Sequence, residues 1–380
     1  MTGFAIIGAG FVADLYMGSL KLYPEIPIRG VFDRRPERAA AFCSHWGLAK
    51  HDSLEALLAA CEPGDIVLNL TNPSSHYEVS RAVLEAGFHV YSEKPLAMEM
   101  GQATALTELA AEKGLRLTSA PCSFLGEAAQ TLWAAVRAGY PGKVRLVYAE
   151  MDDDFVPAAP YRKWISESGA PWPWQDEFEV GCTLEPAGYY LAWLLPVFGP
   201  VKRVISASAD LAEKGLEQGR SAPDFSTGTL YFESGVVARL TCSILAPHDH
   251  ELRVIGDDGL LELEDCWNNR SALRYRRRFT LRRRLVTMPF GKRLRLPGPT
   301  HLMQGRRGAA SMNFALGPVE LREAVMQDRP GRMPMDLALH MNEVTLALQA
   351  GGGVHEMTTR FDPAGVAPMD WARRLKGGAA

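Results

Sequence analysis

The segment that most constrains the fold of this 380-residue chain is Phe4-Ala5-Ile6-Ile7-Gly8-Ala9-Gly10-Phe11-Val12-Ala13. Its four apolar residues predict a buried strand, and G-x-G-x-x-A follows at once, opening a helix. Gly8 suits the tight turn, Gly10 lets a pyrophosphate approach the backbone, and Ala13 permits close packing of helix on strand. The helix start at Phe11 and Val12 offers such an anion free N–H groups and the positive end of a dipole. A second predicted strand, residues 28–32, ends in Asp33, spaced as the acid that accepts hydrogen bonds from the adenosine ribose. A carboxylate there repels a 2′-phosphate and favours NAD over NADP. The neighbouring Arg34 and Arg35 weaken that preference, because a guanidinium pairs with the extra phosphate or stacks on adenine.

Strands and helices keep alternating. Residues 53–60 and 75–86 read as helices, 65–70 as a strand, and Thr71-Asn72-Pro73 as a turn with polar groups at a strand end. Residues 88–91 lead into Glu93-Lys94-Pro95, and residues 115–119 are counted as a sixth strand. Pro95 is placed at the first position of a helix reaching Gly114. This alternation predicts an α/β, doubly wound parallel sheet, so residues 1–120 are assigned to a Rossmann nucleotide-binding domain. Lys94 then lies beyond the carboxyl end of a strand, where open α/β sheets bind ligands. Desolvation and a nearby cation both lower the proton affinity of an amine, which makes Lys94 a candidate proton carrier. The alternative is a strand-end salt bridge.

Gly8 to Ala13, Asp33, Thr71-Asn72-Pro73 with His76, and the run from Gly87 to Leu96 together resemble one family: glucose–fructose oxidoreductase, inositol dehydrogenase and rhizopine-catabolism proteins (Gfo/Idh/MocA). The resemblance covers the first domain well and the second more loosely. It implies that Lys94 hydrogen-bonds the reacting hydroxyl and that Asn72 and Glu93 lie near the nicotinamide ribose. In the family a helix of the second domain carries an Asp and, four residues on, a His or Tyr, both facing the nicotinamide. Matched onto the apolar run from Gly181 to Leu195, the Asp position is Pro186 and the His position is Tyr190. Tyr190 is therefore the candidate proton carrier, its phenol acidified by Lys94, with packing or substrate hydrogen bonding as the alternative. Glu185 is the nearest substitute for the missing carboxylate, offset by one residue, or roughly 100° around a helix.

Residues 121–380 change character and predict a substrate-binding and oligomerisation α+β domain with an open, mostly antiparallel sheet. Strands are expected at 144–151, 201–207, 228–233, 236–244, 252–255 and 260–264, with helices at 130–138, 317–327 and 335–349, the last two covering that sheet. Family members with such a sheet pair through its uncovered face, which implies a homo-dimer or homo-tetramer. Between them lie Tyr161, Trp164, Trp172, Trp174 and Phe178, read equally as a stacking platform for a sugar ring or as a satellite core. Arg162, Lys163, Asp176 and Glu177 add polar groups to the same stretch, and Arg162, Trp164 and Trp172 join Lys94 and Tyr190 as candidate substrate contacts. His248-Asp249-His250 presents two imidazoles to one side of a strand, but no third ligand is evident and no metal is assigned.

Net charge is −3, which gives the whole molecule no strong pull toward nucleic acid or membrane. Its distribution is uneven: residues 270–307 hold thirteen Arg or Lys and no Asp or Glu. That run reads as a solvated pair of edge strands or, more sharply, as a site for an anionic ligand or an anionic bilayer surface. Six scattered cysteines without metal spacing suggest reduced thiols in a cytoplasmic protein, and the immediate first strand leaves no room for a signal peptide. The expected activity is hydride transfer between NAD(P) and a carbinol or carbonyl carbon of a sugar, cyclitol or nucleotide-sugar derivative. The rival readings are an NAD-dependent glycosidase that oxidises its sugar transiently and a catalytically silent nucleotide-binding protein.

Overall fold

The four residues of Phe4–Ile7 (β1) are all buried, as a central parallel strand covered by helices on both faces must be. In the computed structural model, which describes residues 1–216, 221–305 and 308–376, β1 lies between Ile28–Phe32 (β2) and Ile66–Asn69 (β3). His89–Ser92 (β4) and Leu117–Ser119 (β5) complete a parallel sheet of order β2-β1-β3-β4-β5. Helices Phe11–Leu20 (α1), Pro36–Trp46 (α2), Leu54–Ala59 (α3), His76–Glu85 (α4) and Met100–Glu112 (α5) make the crossovers. The strand expected to be the sixth is therefore the fifth, and Lys94 follows the fourth. The helix expected from Pro95 begins instead at Met100. Leu96 and Ala97 are drawn into the core, and the Ala97 N–H donates to Asn342 Oδ1 at 3.2 Å, so tertiary contacts hold this stretch as a turn.

The second sheet follows Glu127–Arg137 (α6) and contains Val144–Asp152 (β6). After Trp174–Val180 (α7) and Ala187–Phe198 (α8) come Val201–Ala209 (β7), Phe225–Phe232 (β8), Val237–Ser243 (β9), Leu252–Gly256 (β10) and Gly259–Leu263 (β11). Arg274–Leu281 (β12), Arg284–Thr287 (β13) and Lys292–Arg293 (β14) precede Leu316–Met326 (α9), Met335–Ala350 (α10) and Gly353–Glu356 (β15). The order is β13-β12-β11-β10-β6-β9-β8-β7-β15, with β14 also on β12; every pairing is antiparallel except β6 with β9. Strict alternation of buried and half-exposed residues along β8 is the period-2 signature of a sheet covered on one face only. The inner face packs with α6, α8 and α10 into the largest core. Leu146, Ile205 and Val354 stay exposed on the outer face.

One helix is not where it was expected. α9 does not cover the antiparallel sheet; it returns to β3 and β4, and Met312, Phe314, Ala315 and Leu321 share a core with Phe4, Ile6 and Tyr16. Gly317 permits this close approach, since a Cβ there would lie 2.4 Å from Cε2 of the Tyr91 ring. The C-terminal third thus clamps the nucleotide-domain sheet from behind. No described helix is long and apolar enough to cross a membrane.

Gly317→Ala is expected to destabilise the protein by about 1–3 kcal/mol through overpacking against Tyr91. Urea unfolding checks this: the midpoint should fall with an unchanged slope, and a midpoint equal to wild type would rule out this packing.

Candidate active site

The glycine turn is held by sterics and by Asp33. Gly8 has φ +98°, and a Cβ on it would meet the Leu70 carbonyl oxygen at 2.5 Å, so no side chain fits. A Cβ on Gly10 would meet nothing within 4 Å; it would point into an open cleft at the amino terminus of α1. Asp33 accepts from the Ala9 N–H and the Arg35 N–H, both at 2.8 Å, which ties the end of β2 to the turn. A backbone cradle, an exposed helix amino terminus and a nearby carboxylate fit a dinucleotide pyrophosphate and ribose. Phe11, Val12, Thr71 and Asn72 line this cleft, which encloses about 370 Å³, as does Arg35 rather than Arg34.

His76 was expected at the cofactor, but it is wholly buried beneath the cleft. Its Nε2 lies 2.9 Å from the Thr71 carbonyl oxygen and its Nδ1 2.7 Å from that of Pro95, so it braces the two strand ends. Burial lowers its pKa against the pull of those two carbonyls, and a neutral ring can donate to only one of them.

Opposite the glycine turn, the chain between β6 and α8 forms a strap. Its rigidity comes from a satellite core of Val156, Tyr161 and Phe178 with Trp172 and Trp174 against it. Trp172 and Trp174 present surface to the cleft, whereas Arg162 and Trp164 stand behind them. The Arg162 guanidinium lies 4.1 Å from the Trp174 ring centroid, and Trp164 meets Trp172 edge-on at 5.0 Å. Those two candidate substrate contacts therefore support the wall rather than form it. The strap is latched to the nucleotide domain. Ser168 Oγ donates to buried Asp14 Oδ2 at 2.8 Å, Arg38 reaches both the Ser168 carbonyl at 3.2 Å and that of Ala9 at 2.9 Å, and Asn72 Nδ2 donates to Asp176 Oδ2 at 2.6 Å.

At the inner end of the cleft the Lys94 ammonium donates to Glu185 and lies 5.8 Å from the Tyr189 ring centroid. Glu93 Oε1 accepts from Tyr16 Oη at 2.5 Å, and its Oε2 accepts from the Lys94 N–H at 3.2 Å. The expectation that Lys94 has a depressed pKa is overturned. Burial does push it down, but Glu185, Tyr189, Glu93 and Glu177 outweigh that, and the net shift is upward. Burial, then the Glu185 charge, lift the Glu177 carboxyl well above its ordinary range. The chemistry on offer is a retained ammonium donor backed by two carboxyl groups, one of them with its pKa raised by burial and by the other's charge.

Tyr190 does not reach this cluster. The helix expected from Gly181 starts at Ala187, and residues 182–186 form turns, so the helical offset argument does not apply to Glu185. Freed from the helix, Glu185 turns toward Lys94. Tyr190 points about 100° away from Tyr189, is 0% exposed, and donates from Oη to the His250 carbonyl. Tyr189 takes the cleft position instead; burial raises its phenol pKa even though Lys94 opposes this. Tyr189, Asp14, Arg38, Ser168 and Tyr16 were not singled out by sequence, since their roles follow from which surfaces meet.

Asp153 stands as the third candidate ligand that His248-Asp249-His250 lacked, with ligand atoms of the three residues within 4.8 Å of one another. The dominant contact is an ion pair, His250 Nε2 to Asp153 Oδ1 at 2.8 Å, with Asp265 Oδ1 3.5 Å from Nδ1. Burial opposes the charge, but Asp153 and Asp265 win, and the His250 pKa rises to about 12. All six cysteines are free.

Residues 2–120 match the oxidoreductase family with an NAD-binding Rossmann fold, and residues 129–262 match the GFO/IDH/MocA C-terminal domain. Among curated proteins, the bovine (Bos taurus) trans-1,2-dihydrobenzene-1,2-diol dehydrogenase is 24% identical over 70% of this chain and 75% of its own length. The UDP-N-acetylglucosamine 3-dehydrogenase of Acidithiobacillus ferrooxidans is 31% identical, over 30% of this chain and 34% of that protein. A solved structure of the latter superposes with TM-score 0.67 at 20% identity, covering 91% of this chain and 96% of that one. The WlbA dehydrogenase of Bordetella pertussis, solved with NADH and UDP-GlcNAcA, gives TM-score 0.71 at 17% identity over 94% and 98% of the two chains.

Gly10→Val should weaken NADH binding at least tenfold in a fluorescence titration while thermal stability stays near wild type, because the new side chain enters only the cleft. A second expectation concerns pH. The folded-state pKa of Glu177 lies above the unfolded one, so its contribution is fully present below the ordinary glutamate value of 4.5 and is lost as pH rises through the raised folded value. Glu177→Gln should therefore lose less stability than wild type between acidic and mildly alkaline buffer. Parallel melting curves would refute the raised pKa.

Proposed function

Because the chain belongs to the Gfo/Idh/MocA oxidoreductase family and is an NAD(P)-dependent dehydrogenase, we propose that it oxidises or reduces one carbon of a sugar, cyclitol or nucleotide-sugar derivative. The observation that carries this reading is the Lys94 ammonium at the end of β4, held by Glu185 and facing a cleft walled by Trp172, Trp174 and Tyr189. Aromatic faces suit the C–H surfaces of a pyranose or cyclitol ring, and relatives named for UDP-N-acetylglucosamine and glucoside oxidation point the same way.

Nicotinamide, when bound, supplies or accepts the hydride. This chain's residues orient the substrate and move the proton. Lys94 donates a hydrogen bond to the reacting oxygen; in the oxidising direction the hydroxyl proton passes to Lys94 as Lys94 gives one to Glu185. Tyr189 holds the ring in line, and Glu177, whose carboxyl pKa is raised by burial and by the Glu185 charge, limits the negative charge beside Lys94. Gly8, Gly10, Phe11 and Val12 hold the pyrophosphate, Asp33 the adenosine ribose, and Thr71, Asn72 and Glu93 the nicotinamide side.

One observation favours a second reading, the redox-neutral glycosidase that keeps its NAD. The strap is latched across the cleft by Ser168, Asp14 and Arg38, and a roof of that kind slows cofactor exchange. Absorbance at the nicotinamide band separates the two: stoichiometric NADH supports the dehydrogenase, and leaving-group release without NADH supports the glycosidase. The exposed Leu146, Ile205 and Val354 also support a homo-dimer or homo-tetramer through the outer sheet face.

Lys94→Ala should lower kcat by roughly 10²–10⁴-fold, the range of a lost acid–base group, with NADH affinity within a few-fold of wild type. Tyr189→Phe should raise KM or lower kcat. Tyr190→Phe should leave both near wild type and cost about 1–3 kcal/mol of stability, because a buried carbonyl loses its donor. Full activity in Lys94→Ala on a panel of glycosides, cyclitols and UDP-sugars would end the proposal.

A further inference from the structure

The strand pair β12–β13 overhangs the sheet. β12 pairs with β11 only as far as Arg277 opposite Gly259; beyond that, residues 278–287 form a two-stranded ribbon with no third strand on that side among the described residues. A two-stranded ribbon is marginal in water unless something covers a face. Cross-strand register puts Phe279 beside Val286 and Leu281 beside Arg284, so one face carries Phe279, Leu281 and Val286 with Arg284, and Leu285, beside Thr280, stands on the other. Large apolar side chains stand in solvent: Leu281 57% exposed and Leu285 68% at the tip, and Phe290 84% at the base, in the connection from β13 to β14.

The charge around them is one-sided. Arg277, Arg282, Arg283, Arg284, Lys292 and Arg293 are exposed and have no ion-pair partner among the described residues. Arg276 and Arg278 are engaged with Glu262 and the Gly256 carbonyl. Arg306 and Arg307, which belong to the same basic run, lie outside the described residues.

We propose that this ribbon docks the protein on an anionic lipid surface. Exposed arginines and lysines are attracted to a negative leaflet, and Leu281 and Leu285 at the ribbon tip, with Phe290 beside its base, enter the boundary between headgroups and acyl chains. The aliphatic residues decide among polyanions. A nucleic acid offers Leu281 and Leu285 neither a hydrogen bond nor a stacking surface, whereas acyl chains take them up. A second copy placed ribbon to ribbon brings its own unpaired arginines against these.

Vesicle co-sedimentation with the full chain tests the proposal. Binding is expected to phosphatidylcholine vesicles containing about one-third phosphatidylglycerol, to be absent on pure phosphatidylcholine, and to fall sharply as salt approaches about 0.5 M. Arg282→Gln, Arg283→Gln and Arg284→Gln together should weaken partition about 100-fold, or roughly fivefold per charge. Phe290→Ser with Leu285→Ser should weaken it about tenfold. Both variants lie away from the cleft, so NADH binding should stay at the wild-type level, which reports correct folding. The proposal is overturned if anionic vesicles do not bind, if either variant partitions like wild type, or if a single-stranded oligonucleotide binds more tightly than the vesicles. A self-association in solution that the ribbon variants abolish would likewise assign the surface to a second copy.

Discussion

The Lys94–Glu185 ion pair joins the two sheets at the inner end of the cleft. The amine comes from the end of a parallel strand, and the carboxylate from the turn before a helix of the antiparallel domain. The Lys94 side chain is only 11% exposed and that of Glu185 32%, so removing one partner leaves the other partly desolvated and uncompensated. With the strap latch and α9, the pair helps set how the two sheets face each other, and it also keeps Lys94 charged. Glu177 is drawn into the same balance: burial first, and then the Glu185 charge, raise its carboxyl pKa well above that of a solvated glutamate.

Around that pair, rigidity is distributed by packing. The aromatic cluster of the strap turns a proline-rich stretch into a wall, and Asp14, Ser168 and Arg38 fasten the wall over the glycine turn. Behind the parallel sheet, α9 and the residues before it fill the nucleotide-domain core. The cleft is thus enclosed by contributions from both ends of the chain, which is why its geometry depends on the second domain as much as on the first.

Much of this was legible in the linear order of residues. β1, the glycine turn and Asp33 follow from an apolar run, two glycines whose missing Cβ matters, and an acid at a strand end. The same logic misplaced the phenol. A register of four residues holds only inside a helix, and Pro186 caps the helix rather than lying within it, so Tyr189 rather than Tyr190 turns to the cleft. Arg162 and Trp164 were misread for a related reason. Composition marks an aromatic stretch, but only packing decides which rings show a face and which prop them from behind.

The sequence by itself determined the parallel sheet, the dinucleotide cradle and the position of Lys94 at a strand end, because each rests on local backbone rules and a period of hydrophobicity. Tertiary structure alone decided the state of Lys94, the partnership with Glu185 and Glu177, the choice between adjacent tyrosines and the recruitment of α9 to the first sheet. These depend on groups nearly a hundred or more residues apart being desolvated together, and the free energy of a buried charge is set by its neighbours in space.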